Sequence, residues 1–126
     1  MKKQNRINLS SGSPWEDIVG YSRAVKVGNI IEVTGTVADD EGTSIGENDV
    51  YLQTKFALQK IEKSIIALGG TLDSVVRTRM FVTNIDEWQA IGKAHYEFLK
   101  HIKPRTSMTE VARLISPDYL IEIEVT

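Results

Sequence analysis

Near the end of the chain, Glu122 and Glu124 alternate with Ile121, Ile123 and Val125. Strict alternation sends both carboxylates to one face of a strand and the three aliphatic side chains to the other. Upstream, Ile31 and Val33 oppose Glu32 and Thr34, while Val76, Met80 and Val82 oppose Arg77 and Arg79. One sheet face is therefore expected to be apolar. The other is expected to carry Glu32, Glu122 and Glu124 against Arg77 and Arg79, with Glu110 beside them. Carboxylates so placed can orient a water or move a proton, and arginines can fork onto a carboxylate ligand. Tyr21 and Arg23 share a face by the same alternation, an aromatic and a guanidinium able to hold a small carboxylate. Two bland readings stand beside these. Tyr21 also fits as an ordinary strand residue. The charged face also fits as a solvated surface with cross-strand ion pairs of about 0.2–1 kcal/mol each. In an oligomer it would instead turn inward and line a polar cleft.

Other chemistry is thin. The chain has no cysteine, which excludes disulfides, thiolate nucleophiles and cysteine-based metal sites. Its two histidines, His95 and His101, are not at i, i+4 spacing, so no metal site is expected. A lone helical histidine such as His95 is more often a boundary residue than a catalyst. The phosphate-loop, dinucleotide, zinc-protease and serine-elbow motifs are all missing. Asn8-Leu9-Ser10 matches a glycosylation sequon by chance. Lys93, Lys100, Lys103 and Arg105 form a loose basic patch that reads first as solvation at a helix C-terminus.

The elements that must position these residues follow from local pattern. Tyr21–Val27 and Ile30–Thr36 read as strands joined by the Gly28-Asn29 turn. Residues 39–48 read as a polar loop. Ala57, Leu58, Ile61, Ile65 and Leu68 recur at helical spacing over residues 49–68, with Asn48 as expected cap and Gly69-Gly70 as the stop. Val75–Val82 reads as a strand. Asn84 with Glu87 fits a capping box for a second helix striped by Trp88, Ile91, His95 and Phe98, ending near Lys103-Pro104. Thr106–Ala112 and Leu120–Val125 read as two further strands, expected to pair antiparallel. The order β-β-α-β-α-β-β predicts a single α+β domain over residues 1–126, a mixed sheet with two helices on one face.

Composition agrees with one soluble domain. The 126 residues carry 41% hydrophobic and 25% charged side chains and a net charge of −2. That balance argues against a phosphate-driven nucleic-acid binder or a polybasic membrane module. No apolar run is long enough to span a bilayer, and the basic opening residues 1–6 lack the apolar stretch of a leader, so the expected location is cytoplasmic.

Three segments together resemble the RidA family, also called YjgF. They are Gly20-Tyr21-Ser22-Arg23-Ala24-Val25-Lys26-Val27-Gly28-Asn29 with Val33-Thr34-Gly35-Thr36, then Val75-Val76-Arg77-Thr78-Arg79-Met80-Phe81-Val82-Thr83-Asn84, then Glu110-Val111-Ala112-Arg113-Leu114 with Ile121-Glu122-Ile123-Glu124. The resemblance implies a chorismate-mutase-like fold and a homotrimer with clefts between subunits. It implies hydrolysis of reactive enamine or imine intermediates to 2-keto acids and ammonia, with no metal or organic cofactor. Carried over residue by residue, Tyr21, Gly35 with Thr34 and Thr36 beside it, and the water-positioning Glu122 fall at family positions. The carboxylate-clamping arginine falls, by counting back from Glu110, on Thr106. Arg105 is its neighbour, and one residue's offset reverses the face unless a bulge intervenes. Arg23 is the other candidate clamp. The family's helix asparagine falls at Gly92. These departures keep a second reading open, a non-catalytic or differently specialised trimer binding a small metabolite. Endoribonuclease activity, an older family label, is a minor third.

Overall fold

In the computed structural model, residues 5–126 are described, so residues 1–4 of the basic opening lie outside it. A six-stranded sheet runs in the order β1-β2-β3-β8-β6-β7. Its strands are β1 (Arg6–Leu9), β2 (Ala24–Val27), β3 (Ile30–Thr36), β6 (Arg77–Val82), β7 (Arg105–Glu110) and β8 (Ile121–Val125). A two-stranded flap of β4 (Asp39–Asp40) and β5 (Thr43–Ser44) interrupts the expected polar loop. Helices α2 (Val50–Ala67) and α3 (Trp88–Leu99) pack on one face, as the pattern predicts. Leu58, Ile61, Ile91, Ile121 and Ile123, all essentially inaccessible, lie in that apolar layer between sheet and helices.

Several expectations change. The strand over Tyr21–Val27 starts only at Ala24, and ahead of it lie an additional strand, β1, and a short helix, α1 (Pro14–Val19). Tyr21 and Arg23 therefore do not alternate within a strand. Ser13 caps α1, its hydroxyl accepting from the Trp15 amide, and Pro14 opens the helix. The last two strands do not pair. β8 inserts between β3 and β6, antiparallel to both, and β7 pairs parallel to β6 at the edge through the α3 crossover. Val76 lies before β6 and is exposed; Thr78 takes the buried place at the start of that alternation. Glu110 opposes Val82, on the helix side, and accepts from the Ile85 amide at 3.1 Å. It is thus not on the charged face.

Helix ends also shift. Asp49, not Asn48, caps α2: its carboxylate accepts from the Leu52 amide at 3.0 Å, while Asn48 takes a left-handed φ of 57°. Gly69, at φ 91°, provides the expected stop. Asn84 caps a single 3-10 turn over Ile85–Glu87 ahead of α3, and α3 ends at Leu99 rather than near Pro104. Asp49→Ala is expected to cost about 1 kcal/mol in urea unfolding, and Asn48→Asp, which leaves the cap in place, much less.

Candidate functional site

The face away from α2 and α3 carries the charged side chains. Parity places Glu122 and Glu124 of β8 beside Phe81 and Arg79 of β6. Arg79 pairs with Glu124 at 3.3 Å, in part-exposed surroundings. A groove of about 730 Å³ runs over this face, lined among others by Tyr21, Thr34, Arg77, Arg79 and Glu124, with Glu16 and Asp17 of α1 on its rim.

β3 carries a bulge beside Glu122. Val33 opposes Val125 and Thr36 opposes Ile123, so Thr34 and Gly35 together face the single residue Glu124. Gly35 sits directly under the Glu122 carboxyl. A Cβ on Gly35 would come within 2.5 Å of Glu122 Oε1 and 2.8 Å of its Cδ. Absence of a side chain at residue 35 is what gives this carboxyl its place. Half-burial pushes the Glu122 pKa up, the Glu124 charge adds to the rise, and Arg23 opposes it. A carboxyl so raised exchanges protons closer to neutral pH than an ordinary glutamate.

Arg23 braces the bulge from behind. Its Nη2 donates to the Thr34 carbonyl at 3.0 Å, the Gly35 carbonyl at 3.1 Å and Thr36 Oγ1 at 2.5 Å. Thr36 Oγ1 in turn donates to the Thr34 carbonyl at 2.8 Å. Among the described residues, buried Arg23 Nε has no partner. Thr36 is fully buried and its hydroxyl is committed inside, so Thr34, not Thr36, faces the groove. Glu16 is buried nearby. Burial alone would raise its pKa, but hydrogen bonds from the Ser11 hydroxyl and amide outweigh that and bring it down.

At the edge strand, the structure separates the two clamp candidates. Arg105 aligns with Arg77, and Thr106 with Thr78. Thr78 is fully buried on the helix side, and its hydroxyl lies 2.9 Å from Thr106 Oγ1. Thr106 therefore reaches toward the helices, and Arg105 shares the face of Glu122. Pro104 O can only accept, so Thr106 donates to it at 3.0 Å, Thr78 donates to Thr106, and His95 Nε2–H donates to Thr78 at 2.9 Å. This chain ties α3 to the sheet. It places His95, its pKa lowered by burial, on the opposite side of the sheet from Glu122. Gly92 is on α3 with open space around it. Among the described residues no group of three metal-ligating side chains converges.

Within one chain the site is divided. Arg105 lies at the Thr126 end of the face, whereas Glu122 pairs with Phe81, four positions further along β6 from Arg77. At about 3.3 Å per residue and 4.8 Å per strand they stand well over 10 Å apart. Sequence reasoning named both residues, and Thr34 beside Gly35. It missed Phe81, whose placement beside Glu122 depends on β8 insertion.

The sequence model of the family described as Endoribonuclease L-PSP matches residues 13–126. The chain belongs to the YjgF/RidA family. Members of that family with related sequences include a RutC family protein of Pyrococcus abyssi, 32% identical over 105 residues, 82% of each chain. An uncharacterized protein of Streptomyces coelicolor is 36% identical over 117 residues, covering 93% of this chain and 87% of the other. A crystal structure of a Mycobacterium tuberculosis member of the YjgF/YER057c/UK114 family superposes with a TM-score of 0.88 at 43% identity, over 96% of this chain and 97% of that one. The α+β fold with a mixed sheet is that of its YjgF/RidA neighbours. Among the described residues no helix is long and apolar enough to cross a membrane.

Proposed function

We propose that this YjgF/RidA-family chain hydrolyses reactive enamine or imine intermediates to 2-keto acids and ammonia, in a cleft shared between copies of a homotrimer. The observation that carries the reading is Glu122: a half-buried carboxyl with a raised pKa, held over the bare backbone of Gly35. In the reaction, water adds to the carbon of the C=N bond and one of its protons goes to the nitrogen; the carbinolamine hydroxyl proton then passes to the nitrogen as the carbon–nitrogen bond breaks, giving the C=O of the keto acid and ammonia. Glu122 orients the water and carries the proton from it to the nitrogen. Arg105 supplies the charged fork for the substrate carboxylate. Since Glu122 and Arg105 lie at opposite ends of one face, a second copy must bring its own Arg105 to the first copy's Glu122. Trp15, Ile18 and Val19 on α1 are exposed and would add an apolar component to such a contact. No metal or organic cofactor enters this scheme. The cytoplasm, where amino-acid intermediates arise, is the expected place of action.

Ammonia release from an imine generated in situ, measured against uncatalysed hydrolysis, tests the reading; a folded assembly giving no excess rate overturns it. Arg105→Ala is expected to lower kcat/KM by about ten- to a hundredfold, chiefly through KM. Arg23 enters as a brace. Arg23→Gln removes both the bulge support and the one charge that holds the Glu122 pKa down. It is expected to lower activity about tenfold and to move the Glu122 titration, read in the pH–rate profile, upward. An unchanged profile would place Arg23 outside the site's electrostatics.

A further inference from the structure

Arg77 and Arg105 are direct neighbours in the parallel β6–β7 ladder. Their side chains leave the same face from strands about 4.8 Å apart. Like charges set directly opposite destabilise a sheet pair. Among the described residues, neither guanidinium makes an ion pair or a side-chain hydrogen bond. Arg79, two positions along the same face, behaves otherwise: Glu124 neutralises it at 3.3 Å and its guanidinium lies 5.9 Å from the Phe81 ring centre. Among the described residues the sheet thus gives Arg79 a carboxylate within ion-pair distance and gives the in-register pair none. Arg77 is half-buried and lines the groove, so its uncompensated charge is the more costly of the two.

We infer that Arg77 and Arg105 form a seat for a ligand bearing two carboxylates, with Arg105 on the carboxylate next to the reacting carbon and Arg77 on the second. This rests on the reading of Arg105 given above and narrows its substrate class to imines of dicarboxylic acids. The spacing of neighbouring strands is comparable with the span of a four- or five-carbon diacid, so one small ligand can meet both guanidiniums. A monocarboxylate leaves Arg77 as it is in the free protein.

Calorimetric titration of the full chain with 2-oxoglutarate and with 2-oxobutyrate tests the seat. The diacid is expected to bind about ten- to a hundredfold more tightly, with the stronger salt dependence. Arg77→Gln should bring the two affinities to within about twofold by weakening the diacid alone. Arg77→Lys, which keeps the charge and loses the fork, should retain part of the preference. Equal affinities in the native protein, no diacid binding at millimolar concentration, or an unchanged preference in Arg77→Gln would each overturn it. So would an Arg77→Gln protein that sediments as a smaller assembly, because Arg77 would then serve the subunit contact. None of these measurements needs turnover. A failed ammonia assay with the preference intact sinks the deaminase reading alone, and turnover without the preference sinks the seat alone.

Discussion

Glu122→Gln is expected to lower kcat/KM for the proposed imine hydrolysis by about 10²–10⁴-fold while the chain stays folded. The amide keeps the shape over Gly35 and accepts a hydrogen bond, but it cannot carry a proton. The same change has a signature in stability. Burial and the neighbouring Glu124 raise the Glu122 pKa above its ordinary value of 4.5. An acid with a raised folded-state pKa holds the proton more tightly when folded, so its favourable contribution is complete below about 4.5 and is lost as pH rises through the higher folded value. Glu122→Gln is therefore expected to melt above the native protein at pH 7–8, and the gap is expected to close in thermal melts taken down toward pH 4. A variant both active and no more stable at neutral pH would take Glu122 out of the mechanism.

Gly35→Ala is expected to lower activity by about a hundredfold with little loss of stability. The new methyl would fall 2.5 Å from Glu122 Oε1 and 2.8 Å from its Cδ, so the carboxyl has to swing off the bulge. What yields is a side chain with torsions to spare, and Gly35 does not need a left-handed φ; the expected cost in unfolding is under about 1 kcal/mol. Displacing a reacting group by about 1 Å is enough for a hundredfold loss. Parallel measurement of kcat/KM and urea unfolding separates the two effects. Full activity in Gly35→Ala would mean that the carboxyl works from another position.

Legibility in the sequence followed the range of the interaction. The helical stripe of Leu58, Ile61 and Ile65 and the alternation through Ile121, Ile123 and Val125 are local patterns, and both came through to the buried layer unchanged. The cap of α2 moved by one residue, because Asn48 adopts a left-handed φ of 57° and the Asp49 carboxylate takes the Leu52 amide. α1 was hidden because six residues carry too little periodicity to register. Glu110 lies on the helix side and not the charged face because its parity is set by the ladder with β6, where it opposes Val82. The family positions of Tyr21, Gly35 and Glu122 were legible as short motifs, but what they do for one another was not.

By itself the sequence determined an α+β domain of the YjgF/RidA family and one apolar sheet face, and it singled out Glu122, Gly35 and Arg105 as candidates. Only the tertiary structure decided that β8 lies between β3 and β6, that a bulge held by Arg23 places Gly35 under Glu122, and that Arg105 rather than Thr106 shares the face of that carboxyl. The reason is the two-residue period of a strand. It says which residues go together, but a single step of register exchanges the faces, and register is set by the neighbouring strand, which the local pattern does not contain.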